Sequence, residues 1–309
     1  MAPQQREPSY LALYRSGELA RRTAKAVQLL GRCHLCPRVC RADRLRGERG
    51  DCRAGRRATV YSFHPHFGEE APLVGRGGSG TIFFSHCNLE CLFCQNWEIS
   101  HLGQGEEVAA EALADMMLHL QASGCHNVNL VSPSHVVAQI LEALFVAAGR
   151  GLRLPLVYNS GGYDALPALR LLDGVVDIYM PDMKYADAAV AQEFSGVRSY
   201  PPVNRAALKE MHRQVGDLVL DDRGVAVRGL LVRHLVLPHG LAGTAEVVRF
   251  LAEQISPRTY LNVMAQYHPC YRAVGHPLLG RRLTAAEYEA ALAATMICGM
   301  QRLDRPFLR

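Results

Sequence analysis

Cys87, Cys91 and Cys94 stand in Cys-x-x-x-Cys-x-x-Cys spacing directly after the apolar run Gly80-Thr81-Ile82-Phe83-Phe84-Ser85, and Gln95-Asn96-Trp97 follows them. Three thiolates on one short loop are soft ligands for three irons of a cubane iron–sulfur cluster, and they leave the fourth iron open. An electron-transfer ferredoxin cluster closes all four irons with cysteine, so an open iron is a place for chemistry. A structural zinc site fits these residues less well. It wants four ligands, usually in paired knuckles, and the nearest further ligand downstream, His101, lies beyond the helix-like Trp97-Glu98-Ile99 stretch.

A second set, Cys33-His34-Leu35-Cys36-Pro37-Arg38-Val39-Cys40, is followed by Cys52 after eleven residues. Four thiols fill a metal site, and both zinc and a closed iron–sulfur cluster suit them; spacing alone does not choose. The alternative is four free cysteines in a basic linker. Cys125, Cys270 and Cys298 are isolated and read as core or cleft-mouth residues. The glycines between Gly75 and Gly80 lack the Lys-Ser/Thr of a phosphate loop.

The elements that must position these residues alternate. Apolar spacing predicts a helix over Tyr10 to Leu30, then the cysteine-rich stretch 33 to 52, then a Gly/Pro-rich bridge from Phe63 to Gly78 too irregular for a long element. Strands are predicted near 80–85, 127–131, 154–159, 175–180, 230–237 and 260–265, with helices near 106–123, 135–148, 164–172, 203–214, 243–254 and 284–299. Asp217 to Val225 reads as a hairpin-like surface insertion. Six βα units with right-handed crossovers imply an α/β fold, an incomplete (β/α)6 TIM-like barrel whose chemistry gathers at the C-terminal ends of the strands. Polar motifs fall at those ends: the Cys87 loop, Ser132-Pro133-Ser134-His135, Asn159-Ser160-Gly161-Gly162, Asp182-Met183-Lys184, Pro238-His239-Gly240 and Gln266-Tyr267-His268-Pro269. The expected units are 1–75, an N-terminal helix with a cysteine-rich metal-binding module, and 76–309, the partial barrel.

The cysteine spacing, ending in Phe93-Cys94, resembles that of the radical S-adenosylmethionine (SAM) superfamily. His86 to Ser100, together with Tyr179-Met180-Pro181-Asp182-Met183-Lys184-Tyr185, Val232-Arg233-His234-Leu235-Val236-Leu237-Pro238 and Met264-Ala265-Gln266-Tyr267-His268-Pro269, is similar to homologues of the enzymes that activate pyruvate formate-lyase and other glycyl-radical enzymes. The resemblance spans about residues 30 to 300 and is specific for the superfamily, not for a substrate. It implies a radical-SAM-type barrel and a [4Fe-4S] cluster on Cys87, Cys91 and Cys94 whose open iron chelates the methionine of S-adenosyl-L-methionine. Asp182, Lys184, Arg233 and His268 would then surround that cofactor's methionine and ribose, with Asn159 and Ser160 in the same cofactor-binding set. A carboxylate in a dry pocket needs cationic partners, which Lys184 and Arg233 can supply. Arg233 lies inside the apolar run Leu230 to Leu237, where an unpaired charge is costly, and Lys184 is one of only three lysines among 34 basic residues.

Three departures qualify the resemblance. Ser132-Pro133-Ser134-His135 stands where related enzymes often carry Gly-Gly-Glu, Tyr158-Asn159-Ser160 replaces an Asp-Thr-Asn pattern, which weakens any claim for a bound monovalent cation, and His86 occupies a place often filled by glycine.

The expected enzyme takes an electron from a reduced flavodoxin or ferredoxin, cleaves S-adenosylmethionine to methionine and a 5′-deoxyadenosyl radical, and abstracts hydrogen from a substrate. That substrate is the backbone glycine of a partner protein, or alternatively a small metabolite or a protein side chain. From another class, a metal-binding adaptor with a basic N-terminal face remains an alternative. Residues 1–60 carry 14 Lys plus Arg against 5 Asp plus Glu, while the whole chain is at +5; this reads as a solvated basic surface and not a nucleic-acid face. At 309 residues, 49% of them apolar, the chain can bury a full core. Met1 to Pro8 lacks the apolar core of a signal peptide, and no stretch approaches the ~18 apolar residues of a membrane span. Ten cysteines in such a chain fit a cytoplasmic setting.

Overall fold

A computed structural model describes residues 7–304; the outermost ends of both expected units lie outside the described residues. The strands are β1 (Ala58–His66), β2 (Ser79–Phe84), β3 (Glu106–Val108), β4 (Val128–Val131), β5 (Leu156–Ser160), β6 (Ile178–Pro181), β7 (Val219–Leu220), β8 (Ala226–Leu235) and β9 (Tyr260–Met264). Six of them, β2, β4, β5, β6, β8 and β9, pair in parallel and in chain order, each joined to the next by a helical crossover. β1 extends the sheet antiparallel to β2 and carries β3 on its other side. Among the described residues β9 does not return to β2, so the barrel stays open.

Inward-facing side chains alternate along each strand, and their register builds three tiers. Val157, Ile178, Leu231 and Tyr260 meet Leu73 in an apolar floor. One step up lie Asn129, Arg233 and Asn262, joined by the buried Glu69-Glu70 pair: Asn129 Nδ2 donates to Glu69 Oε1 (3.1 Å) and Asn262 Nδ2 to Glu70 Oε1 (2.9 Å). Above them the strand ends open into a cleft. The stretch after β1 therefore enters the barrel from below, as the short helix Ala71–Val74, and plugs it.

Several expectations change. The predicted Tyr10–Leu30 helix breaks at Gly17, whose φ of +78° ends one helix, Tyr10–Arg15, before Glu18–Gln28 begins. The bridge from Phe63 overlaps β1, a nine-residue strand that periodicity missed because its end, Phe63-His64-Pro65-His66, has no apolar alternation. The helix expected from 106 starts with β3 and runs Ala110–Ala122. A helix not foreseen, Ala188–Ser195, is capped by Asp187, whose Oδ1 accepts from Ala189 and Val190 N–H. The expected insertion at 217–225 contributes β7, but Leu218 is buried in the floor. Finally, the boundary expected at 75/76 falls between β1 and β2, hydrogen-bonded neighbours, and Tyr10, Leu19 and Leu30 share one core with the barrel strands. That sharing explains why Val137–Gly149 is apolar on nearly all sides: strands cover one face and Glu18–Gln28 the other, with Thr23 Oγ1 donating to the Leu141 carbonyl.

Candidate functional site

The cleft at the C-terminal strand ends encloses about 1130 Å³, counting the space open at its mouth. All six parallel strands or their following loops contribute to its wall: Cys87, Cys91 and Cys94 after β2, Ser132 after β4, Asn159 and Ser160 from β5, Asp182 and Lys184 after β6, Arg233 and Leu235 from β8, Met264 and Gln266 from β9 and its loop. Chain segments 45 to 179 residues from Cys87 thus meet in one pocket, as barrel topology requires.

The cysteine loop is held from three sides by its backbone. Glu90 and Leu92 N–H donate to the carbonyls of Ser195 and Phe194, Leu92 accepts from Ala273 N–H, and His86 N–H donates to the Ile99 carbonyl. His86 has φ +69°, the left-handed region that a glycine enters freely and a histidine rarely does; this is the physical reason for glycine at that place in similar sequences. The thiols themselves have polar neighbours: Cys91 Sγ lies 2.9 Å from Ser195 Oγ, Cys94 Sγ 3.1 Å from Ser100 Oγ, and Leu89 N–H reaches Cys87 Sγ at 3.4 Å. Burial pushes the Cys87 thiol up to about 12 and raises Cys91, the latter opposed by the charge of Lys184. Such thiols are neutral until a metal displaces their protons.

Opposite them, Asp182 joins two cations. Lys184 Nζ donates to its Oδ2 at 2.6 Å and Arg233 Nε to its Oδ1 at 3.0 Å; Arg233 Nη2 also donates to Asn159 Oδ1 at 2.8 Å, and Nη1 lies 3.7 Å from Glu69 Oε2. Burial alone would raise the Asp182 carboxyl, but Lys184 and Arg233 outweigh it and hold that carboxyl below the usual range. Burial would lower Lys184 and Arg233, and Asp182 in turn raises both. Their side chains keep 14% to 20% of their surface exposed, so a ligand in the cleft can reach them. Tyr200 and Asn204 fix the loops that carry these groups. Tyr200 OH accepts from Lys184 N–H and lies 2.9 and 3.0 Å from the Gly161 and Asp182 carbonyls, while Asn204 Nδ2 donates to those of Gly162 and Asp182.

Cys87, Cys91, Cys94, Asp182, Lys184, Arg233, Asn159 and Ser160 are therefore brought together. His268 is not in the cleft wall; its ring sits at the rim, where Nδ1 is 3.5 Å from Gln95 Nε2 and 3.2 Å from the Gln266 carbonyl. Of the loop after β4, Ser132 faces the cleft with φ +59°, but Ser134 turns to Asp164 and His135 is buried against the Ser85 carbonyl. Sequence reasoning missed Ser195, Glu69, and Tyr200 with Asn204, each of which acts through tertiary contact and carries no motif; Ser100 lies within the His86 to Ser100 run but was given no role. The second set, Cys33, Cys36, Cys40 and Cys52, lies outside this cleft. Among the described residues no three His, Cys, Asp or Glu side chains of either set converge on one point as a single ion would gather them.

A search against protein-family models finds no match. An uncharacterized protein of Methanocaldococcus jannaschii is 33% identical over 278 residues, which cover 86% of this chain and 75% of that protein. The chain belongs to that protein's family. Solved structures with fainter likeness include Streptococcus suis SuiB bound to the precursor peptide SuiA (12% identity, 71% of this chain and 46% of that one, TM-score 0.48). A radical SAM methyltransferase from Sphaerobacter thermophilus (14%, 72% and 64%, TM-score 0.48) and native anSMEcpe with bound AdoMet (10%, 71% and 61%, TM-score 0.48) are others. The chain spans about half to under two thirds of the length of these three. No helix of the described residues is long and apolar enough to cross a membrane.

Proposed function

We propose that this protein is a radical S-adenosylmethionine enzyme. The observation that carries the reading is one cleft lined both by three thiols of a single loop and by Asp182, Lys184, Arg233 and Asn159 at the facing strand ends. The donor set fits the group: three soft ligands leave one iron of a [4Fe-4S] cluster open, and the cations opposite suit the carboxylate of a chelated methionine. When bound, the cluster and S-adenosylmethionine supply reductive cleavage of a carbon–sulfur bond, giving methionine and a 5′-deoxyadenosyl radical.

The chain's own residues bind, orient and exclude water. Cys87, Cys91 and Cys94 hold the cluster, and the Ser195 and Ser100 hydroxyls and the Leu89 N–H steady their sulfurs. Lys184 and Arg233 offer charge to the cofactor's carboxylate or ribose, while Asp182 and Asn159 keep both cations aimed into the cleft. Leu89, Leu235 and Met264 form apolar wall that keeps water from a reactive radical. His268 at the rim closes on the cofactor only if its loop moves inward.

The finer reading is glycyl-radical activation of a partner protein, with the electron drawn from reduced flavodoxin or ferredoxin in the cytoplasm; its support is the similarity of the Cys87, Asp182, Arg233 and His268 segments to activating enzymes. The test is anaerobic reconstitution with iron and sulfide, followed by dithionite and S-adenosylmethionine. Reductant-dependent 5′-deoxyadenosine is expected; its absence in protein that holds a full cluster overturns the assignment.

A further inference from the structure

Arg44 is the largest fully buried side chain, 1% exposed, and it has no carboxylate within 4 Å among the described residues. Its Nε donates to the Gly55 carbonyl (2.9 Å) and Nη1 to that of His135 (2.8 Å), Nη1 also lies 3.8 Å from Cys33 Sγ, and Nη2 has no partner at all. A buried guanidinium satisfied only by neutral carbonyls is costly unless an anion sits beside it. The groups available are thiols. Cys33, Cys36 and Cys52 are buried, Cys40 is half-buried, and the four lie within electrostatic reach of one another.

The backbone sets the segments that carry these thiols side by side. Cys33 N–H donates to the Ala42 carbonyl, and the Cys33 carbonyl accepts from Arg41 N–H, closing a ten-residue knuckle that contains three of the cysteines. Gly50 brings the turn that carries Cys52 against it: a Cβ there would fall 2.2 Å from Cys40 Sγ. Only glycine permits that approach.

We propose that Cys33, Cys36, Cys40 and Cys52 hold a second metal centre, a four-thiolate site whose negative charge is neutralised by Arg44. Four thiolates around a divalent zinc ion or a cubane cluster carry a net charge of roughly −2, which supplies the anion that Arg44 lacks. The shared chemistry is thiolate binding of a thiophilic metal, and the site does not depend on the radical reading of the cleft. It also touches that cleft's frame. Arg38, between Cys36 and Cys40, donates through Nε to the Asn88 carbonyl at 2.9 Å and through Nη1 to that of Gly196 at 3.3 Å, while the same His135 that accepts from Arg44 bonds the Ser85 carbonyl at 2.9 Å. The second centre thereby braces both sides of Cys87.

The experiment uses the full chain with Cys87, Cys91 and Cys94 all replaced by Ala, purified and reconstituted without oxygen, so that any bound metal belongs to the second site. Zinc, iron and acid-labile sulfide are counted per chain. About one zinc without sulfide identifies an ion, and iron with matching sulfide identifies a cluster; both uphold the site. Neither metal in folded protein, judged by its circular dichroism, overturns it. In wild-type protein, Cys36→Ser with Cys52→Ser should lose that metal while the spectrum of the Cys87 site persists, and Arg44→Met should speed metal release to a chelator at least about tenfold, with Arg44→Lys partly restoring retention. Unchanged release in Arg44→Met removes Arg44 from the site. Should the double cysteine variant fail to fold, the count on the triple-alanine chain still decides.

Discussion

Asp182 stands between Lys184 and Arg233, and the two cations are not equivalent. Removing Lys184 leaves Asp182 paired with Arg233; removing Arg233 leaves Asp182 with Lys184 but deprives Asn159 and Glu69 of their partner. Lys184→Ala should therefore weaken S-adenosylmethionine binding by at least tenfold with little loss of stability. Arg233→Ala should do both, costing about 1–3 kcal/mol because the buried Asn159 amide oxygen loses its donor, while Asp182 keeps Lys184. Calorimetric titration and chemical denaturation separate the effects, and unchanged affinity in both variants would return these residues to a structural role. Each of Cys87→Ala, Cys91→Ala and Cys94→Ala should abolish reductant-dependent 5′-deoxyadenosine, because two thiolates cannot hold a site-differentiated cluster; persistent product in all three is the contrary result. The three thiols of the proposed cluster were legible in sequence because thiol chemistry dictates their spacing along one loop. Glu69, Ser195 and Tyr200 were not, since each meets the site only after distant strands have come together.

At the scale of elements, the plug between β1 and β2 carries the unexpected chemistry. Burial pushes the Glu69 carboxyl up to about 7, against the opposing pull of Arg233 and with the neighbouring Glu70 adding to the rise. The folded state therefore favours the protonated acid. Its contribution to stability is fully present below the unfolded value near 4.5 and is lost as pH rises through about 7. Relative to Glu69→Gln, the wild type should lose on the order of 3 kcal/mol between pH 4.5 and 8, read from urea midpoints; parallel pH profiles would show that the carboxyl is not perturbed. The loop after β5 is equally constrained. Gly162 has φ +73°, and a Cβ there would fall 2.0 Å from the Asp182 carbonyl. Gly162→Ala should lower the melting temperature and weaken cofactor binding together, because the clash pushes against the loop that carries Asp182 and Lys184. The six parallel strands were readable as short, mostly apolar runs, whose outer faces pack against helices. β1 and the plug were not: the second half of β1 is exposed or half-exposed, and the plug makes its interior contacts through Glu69 and Glu70, which leaves no periodic trace.

For the molecule as a whole, charge and cysteine content suggested a separate N-terminal unit, yet packing ties that unit to the barrel. Tyr10 OH donates to the Leu154 carbonyl, Ser9 N–H to Asp177 Oδ1, and Arg228 Nη1 reaches Ser9 Oγ. Those contacts join residues 144 to 219 positions apart. They set an order of events during synthesis. On the ribosome the N-terminal arm emerges ahead of the barrel strands but completes its docking only after Asp177 and β8 exist, so Cys33 to Cys52 are complete while the strands that frame Cys87 are still being made. The knuckle of local backbone bonds around Cys33 needs none of those later strands, so it can close early, on the metal proposed for it, and then serve as a finished part against which the nascent Cys87 loop is set.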